Sequence, residues 1–171
     1  MITIHSSALA FFAVALLAPG VGVQQQPGML APEHTNFSGR WRMDKDKSDF
    51  ARARMPDMIV RVVDQRGITM NVHTIETIGN RTTAADVSYF LDGSESTNVL
   101  NGHDAVSKAF WDGPALMVRT TVKMSNGTQE LVEDRWELSA DGQTLTTTSQ
   151  ISTPKGGAQL KLVCVKEKVG S

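Results

Sequence analysis

A single cysteine, Cys164, occurs in the 171 residues, so no intramolecular disulfide braces the chain and its stability must come from a hydrogen-bonded scaffold and a core. Within the run LVCV that thiol reads as a small buried hydrophobe. An excess of one charge is also missing: 17 Lys and Arg against 18 Asp and Glu leave a net charge of -1. Such a balance gives no electrostatic footprint for nucleic acid or for an anionic membrane. The sequence has no Gly-rich phosphate loop, no Gly-x-Ser-x-Gly elbow and no Cys-His arrangement. Its histidines, at 5, 34, 73 and 103, lack metal-ligand spacing, so no metal and no other cofactor is expected. Haem on one histidine is the single cofactor alternative that this spacing leaves open.

Long apolar runs are scarce. Ala8 to Ala18 is the main one, too short to span a bilayer comfortably but of the length of a signal-peptide core, and Pro19 follows it. The expected organisation is a leader over 1–23, a polar, Pro-containing lead-in over 24–35, and one domain over 36–168. The implied location is periplasmic or secreted, with no stable membrane insertion after cleavage. The first residues, MITIHSS, carry no Lys or Arg, and an uncleaved N-terminal anchor is the alternative.

Turn dipeptides, by contrast, are abundant from Asp64 onward: Arg66-Gly67, Gly79-Asn80, Asp92-Gly93, Asn101-Gly102, Asp112-Gly113, Asn126-Gly127, Asp141-Gly142 and Gly156-Gly157. They fall every ten to fifteen residues or so with β-prone runs between, the spacing of consecutive hairpins. The predicted strands are 37–43, 58–64, 68–77, 82–91, 95–100, 103–111, 115–124, 129–138, 144–152 and 159–166. Ser48 to Met55, bounded by a capping residue and Pro56, predicts at most one short helix after the first strand. The fold class is therefore all-β, an antiparallel up-and-down meander barrel of 8 to 10 strands, since closure removes the exposed edges of so long a meander.

Turn length fixes which side chains share a face. With Asp112-Gly113 and Asn126-Gly127 as two-residue turns, Lys108, Phe110, Met117 and Arg119 share a face with Asp134 and Trp136; Asp141-Gly142 extends it to Ile151. The opposite face of the later strands is polar (Glu133, Arg135, Glu137, Thr144, Thr146), so the first face is expected inside. Three interior charges follow, which are costly unless paired, hydrated or ligated. Lys108 and Arg119 would meet an acidic ligand, Asp134 would orient Arg119, and Phe110, Met117, Trp136 and Ile151 would line its apolar body. An internal Arg119–Asp134 pair that only sets register, or a slip that turns all three outward, is the structural alternative. In the early hairpin, a three-residue loop Gln65 to Gly67 would point Met58, Val60 and Val62 inward and Arg61, Asn71 and His73 outward.

The segment Asn36-Phe37-Ser38-Gly39-Arg40-Trp41 resembles the opening strand of the calycin group, lipocalins and fatty-acid-binding proteins, in which a Gly-x-Trp element begins the barrel. Together with Lys47-Ser48-Asp49-Phe50, Trp111-Asp112-Gly113 and the stretch from Asp134 to Gly142, it is most similar to a group of uncharacterised secreted bacterial lipocalin-like proteins. The resemblance implies a calycin-like barrel that Trp41 closes at one end. It departs from that pattern in two places: the paired helices that lid fatty-acid-binding proteins are missing, and no arginine follows the last strand to stack on Trp41. The expected function is non-enzymatic binding of a small apolar or amphipathic molecule by a monomer. Two rivals stay open: an interaction or inhibitor module with a packed barrel, and an isomerase- or cyclase-type enzyme using Asp134 with Arg119.

Overall fold

A computed structural model describes residues 34–168; the expected leader and most of the lead-in lie outside the described residues. Ten strands follow one another: β1 (Gly39–Met43), β2 (Met58–Arg66), β3 (Thr69–Ile78), β4 (Arg81–Phe90), β5 (Glu95–Leu100), β6 (His103–Asp112), β7 (Ala115–Lys123), β8 (Gln129–Leu138), β9 (Thr144–Thr153) and β10 (Gly156–Lys166). All ten predicted strands are present, and each bound lies within three residues of its prediction. They form one antiparallel sheet in the order β4-β3-β2-β1-β10-β9-β8-β7-β6-β5, so pairing of β1 with β10 rolls the meander into a barrel.

The helix-friendly stretch Ser48 to Met55 forms no α-helix; the described residues hold a single 3-10 turn at Lys45–Lys47, within the expected limit of one short helix. Asp49 is held elsewhere. Its backbone exchanges two hydrogen bonds of 2.7 Å with Lys161 of β10, and its carboxylate accepts the Ala51 N–H at 2.8 Å. An Asp side chain that bonds the backbone two residues on offers the chain a turn in place of a helix.

Closure is incomplete between β4 and β5, which share no ladder. Asn98 of β5 spans the gap with its side chain: Oδ1 accepts the Ser88 N–H at 2.8 Å and Nδ2 donates to the Ser88 carbonyl at 3.0 Å. The amide thus imitates a backbone partner at the edge of β4, whose exposed donors and acceptors would otherwise invite pairing with another chain.

One end of the barrel is solid. Phe37, Trp41, Met70, Leu116 and Leu145 are fully buried there, with Trp136 beside them. The Trp41 indole donates to the Phe37 carbonyl at 2.9 Å, and the Lys166 ammonium lies 5.1 Å from its ring centre. Trp41 thereby fills this end, with a lysine at the end of the last strand over its ring. His34 stacks on Trp111 at 4.4 Å and Phe37 meets Trp136 edge-on at 6.0 Å, so the segment before β1 caps the same end with aromatic rings.

Candidate ligand-binding site

Which side chains point inward is decided at the turns, and two of them differ from the prediction by an odd number of residues. Met124 N–H donates to the Thr128 carbonyl at 2.9 Å, so the β7–β8 loop is the three residues Ser125, Asn126 and Gly127, with Gly127 at φ 81°. One extra residue in a loop reverses the facing of everything before it. The buried series of β6 and β7 is therefore Ala105, Ser107, Ala109, Leu116, Val118, Thr120 and Val122.

Lys108, Phe110, Met117 and Arg119 accordingly lie on the outer surface, correcting the expected ligand set. There Lys108 approaches Glu95 at 3.3 Å, and Arg119 binds Glu133 at 2.5 Å with its guanidinium 5.6 Å from the Phe110 ring. Met117 receives an Arg135 N–H on its sulfur at 3.4 Å. Asp134, Trp136 and Ile151 do face inward, because β8 and β9 pair Asp134 with Ser149, Trp136 with Thr147 and Val132 with Ile151. Asp134 and Arg119 are on opposite faces, which removes the pairing that the enzyme reading required.

The second difference runs the other way. Arg66 pairs with Thr69, so the β2–β3 loop is the two residues Gly67 and Ile68, with Gly67 at φ 56°. The inward series of β2 becomes Ile59, Arg61, Val63 and Gln65, opposite Glu76, Thr74, Val72 and Met70. Arg61, expected outside, enters the barrel.

Its surroundings form the interior polar site. Arg61 Nη1 donates to Thr147 Oγ1 at 3.1 Å and the guanidinium lies 5.1 Å from the Trp136 ring centre. Arg61 Nε and Trp136 Nε1 are both buried with no hydrogen-bond partner among the described residues. Two neighbouring buried N–H donors without acceptors are expensive in a folded protein. One step along the same face of β8, Asp134 accepts the Ser149 hydroxyl at 2.5 Å. Burial pushes the Asp134 carboxyl above the ordinary aspartate range; the Ser149 hydrogen bond and then Arg61 pull against that rise. Tyr89 of β4 is buried beside them, its phenol raised far above the usual value first by burial and then by Asp134. Burial likewise lifts the Cys164 thiol to about 11, with Arg61 opposing. Among the described residues no three His, Cys, Asp or Glu side chains converge as a metal site would require.

Beyond this site the barrel is less filled. Thr74, Ala85, Val87, Asn98, Val132, Ile151 and Ala158 all belong to the inward series, yet each stays partly exposed. Several are small. A solid core would hide them. At the mouth, a recess of about 490 Å³ is lined by Glu76, Ile78, Arg81, Thr83 and Asn101, where the β3–β4 and β5–β6 turns flank the gap that Asn98 bridges. The barrel thus has a packed aromatic end, a polar floor at Arg61, Trp136 and Asp134, and an accessible half above it.

Several solved structures share this architecture. Secretory abundant heat soluble protein 4 from Ramazzottius varieornatus superposes with a TM-score of 0.53 at 13% identity, covering 77% of this chain and 95% of that one. Caenorhabditis elegans lipid binding protein 8, in its apo form, gives 0.55 at 11% identity, covering 77% and 95%. The fold is calycin-like. Zebrafish ileal bile acid-binding protein, complexed with cholic acid, gives 0.51 at 18% identity, covering 77% and 98%. Identities this low establish the calycin-like fold alone. The sequence matches no described protein family and no curated protein.

Proposed function

We propose that this protein is a non-enzymatic binder of a small amphipathic molecule, held inside the barrel with its acidic end on Arg61 and Trp136 and its apolar body toward the mouth. The observation that carries the reading is the pair of buried, unpartnered donors, Arg61 Nε and Trp136 Nε1. A carboxylate satisfies both at once and meets the guanidinium charge. Val87, Val132, Ile151 and Ala158, inward-facing and partly exposed, supply apolar wall above it. That accessible wall speaks against the rival interaction module, which needs a packed barrel. Similar barrels that bind a bile acid or are named for lipid binding are consistent with the reading at the level of fold. Export to the periplasm or medium, from the apolar run over 8–18, belongs to the same proposal.

Isothermal titration of delipidated protein with dodecanoate and with its methyl ester tests it. The acid binds and the ester binds at least about tenfold more weakly, because a charge-assisted hydrogen bond is worth roughly 1.5–3 kcal/mol. Arg61→Met lowers affinity for the acid by a similar factor; Trp136→Phe, which keeps the ring and removes the N–H, lowers it less. Equal affinities for acid and ester, or an unchanged Arg61→Met, refute the site.

A further inference from the structure

The polar floor holds an acceptor as well as donors. Asp134 faces the same space as Arg61 but is bonded by a hydroxyl, Ser149 Oγ–H, rather than by a cation. Two residues on along β8, on the same face and about 7 Å away, stands Trp136 with its free indole N–H. A ligand carboxylate that docks on Arg61 and Trp136 therefore arrives beside a second carboxylate in a site with one guanidinium. Two carboxylates crowded together out of water do not both stay ionised.

We propose that the bound ligand's carboxyl group and Asp134 share one proton, taken from solvent, beside the Arg61 guanidinium, so that binding of a carboxylic acid is coupled to proton uptake. The inference rests on the reading of the interior as a carboxylate site and adds the chemistry of its occupant: a group that accepts from Arg61 and Trp136 and exchanges a hydrogen bond with Asp134. One bridging proton completes that arrangement without a third charge.

The other ionisable groups in this half do not supply the proton's site. Tyr89 on β4 and Cys164 on β10 face the same interior, and both are held neutral by burial through the neutral range. Around Asp134 the inward residues of β7 and β9 are Val118 and Ser149, which do not titrate. Glu130 on β8, Glu76 on β3 and His103 on β6 also belong to the inward series, but they lie toward the mouth. Empty of ligand, Asp134 already favours its proton more than an exposed aspartate does, through burial. A second negative charge strengthens that preference, so the bound state holds more protons than the free protein plus free ligand once the pH is above the range where free Asp134 is protonated.

The test is calorimetric titration with dodecanoate in buffers of different ionisation enthalpy, across roughly pH 6 to 10, a span over which the free ligand is ionised. Wild-type protein takes up as much as one proton per ligand, and its affinity falls about tenfold per pH unit at the upper end. Asp134→Asn, checked for native circular dichroism, takes up none and binds with flat affinity. The uptake measured on the wild type needs no variant, which keeps the test decisive should Asp134→Asn fail to fold. Binding that depends on Arg61 yet shows no proton uptake anywhere in this range overturns proton sharing and leaves the carboxylate site standing. Failure of the wild type to bind dodecanoate at all overturns the site itself, and the inference with it.

Discussion

Arg61 and Asp134 could hold the barrel together or could be tolerated for what they bind, and removing both at once separates these roles. In the double variant Arg61→Met, Asp134→Leu the barrel loses the Arg61–Thr147 bond of 3.1 Å, the stacking of the guanidinium on Trp136 and the Asp134–Ser149 bond. Charge-assisted bonds are worth roughly 1.5–3 kcal/mol each and a desolvated cation–π contact about 2 kcal/mol, so the losses reach about 5–8 kcal/mol. Against them stands relief of the desolvation of two ions, several kcal/mol apiece, and the burial of two apolar side chains of similar volume at about 1.5–3 kcal/mol each. The orphaned Arg61 Nε also disappears. The balance favours the variant, by about 1–4 kcal/mol, as for buried ion pairs replaced by hydrophobes of like shape. Each single substitution leaves the other charge alone in the interior and is less stable than the double. Urea unfolding followed by tryptophan fluorescence measures all four proteins. A double variant destabilised by more than about 1 kcal/mol would mean that the charges are structural, and the functional account of them would fail.

Trp41→Phe strands the Phe37 carbonyl and weakens the Lys166 contact, costing about 1.5–4 kcal/mol in the same unfolding assay, whereas Lys166→Met costs no more than about 1 kcal/mol. Asn98→Ala releases the clasp on β4; hydrogen exchange at the Ser88 amide accelerates several-fold while amides within β8 and β9 keep their rates, and an unchanged Ser88 would show that the clasp does not form in solution. Lys108→Ala and Arg119→Ala, each breaking an exposed pair, change stability by less than about 1 kcal/mol and leave dodecanoate affinity untouched, which equilibrium titration checks.

The strands were legible because left-handed glycines punctuate them: Gly79, Gly93, Gly102, Gly113, Gly127 and Gly142 all have positive φ and mark the turns that the dipeptides announced. Facing was legible only where the loop kept the even parity that a two-residue turn implies. Between β8 and β9, Ser139 N–H bonds the Thr144 carbonyl across a four-residue loop, an even number, and Asp134, Trp136 and Ile151 point inward as read. Asn126-Gly127 has the signature of a two-residue turn, but Asn126 Oδ1 instead accepts both the N–H and the hydroxyl of Thr128, stabilising a three-residue loop that sends Lys108 and Arg119 outside. In β2 both alternations are largely apolar, Met58, Val60 and Val62 against Ile59 and Val63, so its facing hung on the Gln65 to Gly67 loop, read as three residues where the barrel has two. The barrel turns the second series inward. Local rules are expected to fail at functional or strained sites, and the proposed function makes Arg61 such a place.

Among the three tryptophans, Trp41 already gives its indole N–H to Phe37, whereas that of Trp136 is free beside Arg61. Nitrogen-15 NMR of the side-chain N–H signals during titration with dodecanoate therefore reads the site directly, with an internal control. The account predicts that Trp136 Nε1–H and Arg61 Nε–H move downfield together and saturate at one ligand per protein, with Trp41 Nε1–H unmoved. Saturation with the ligand while both signals stay in place would contradict it.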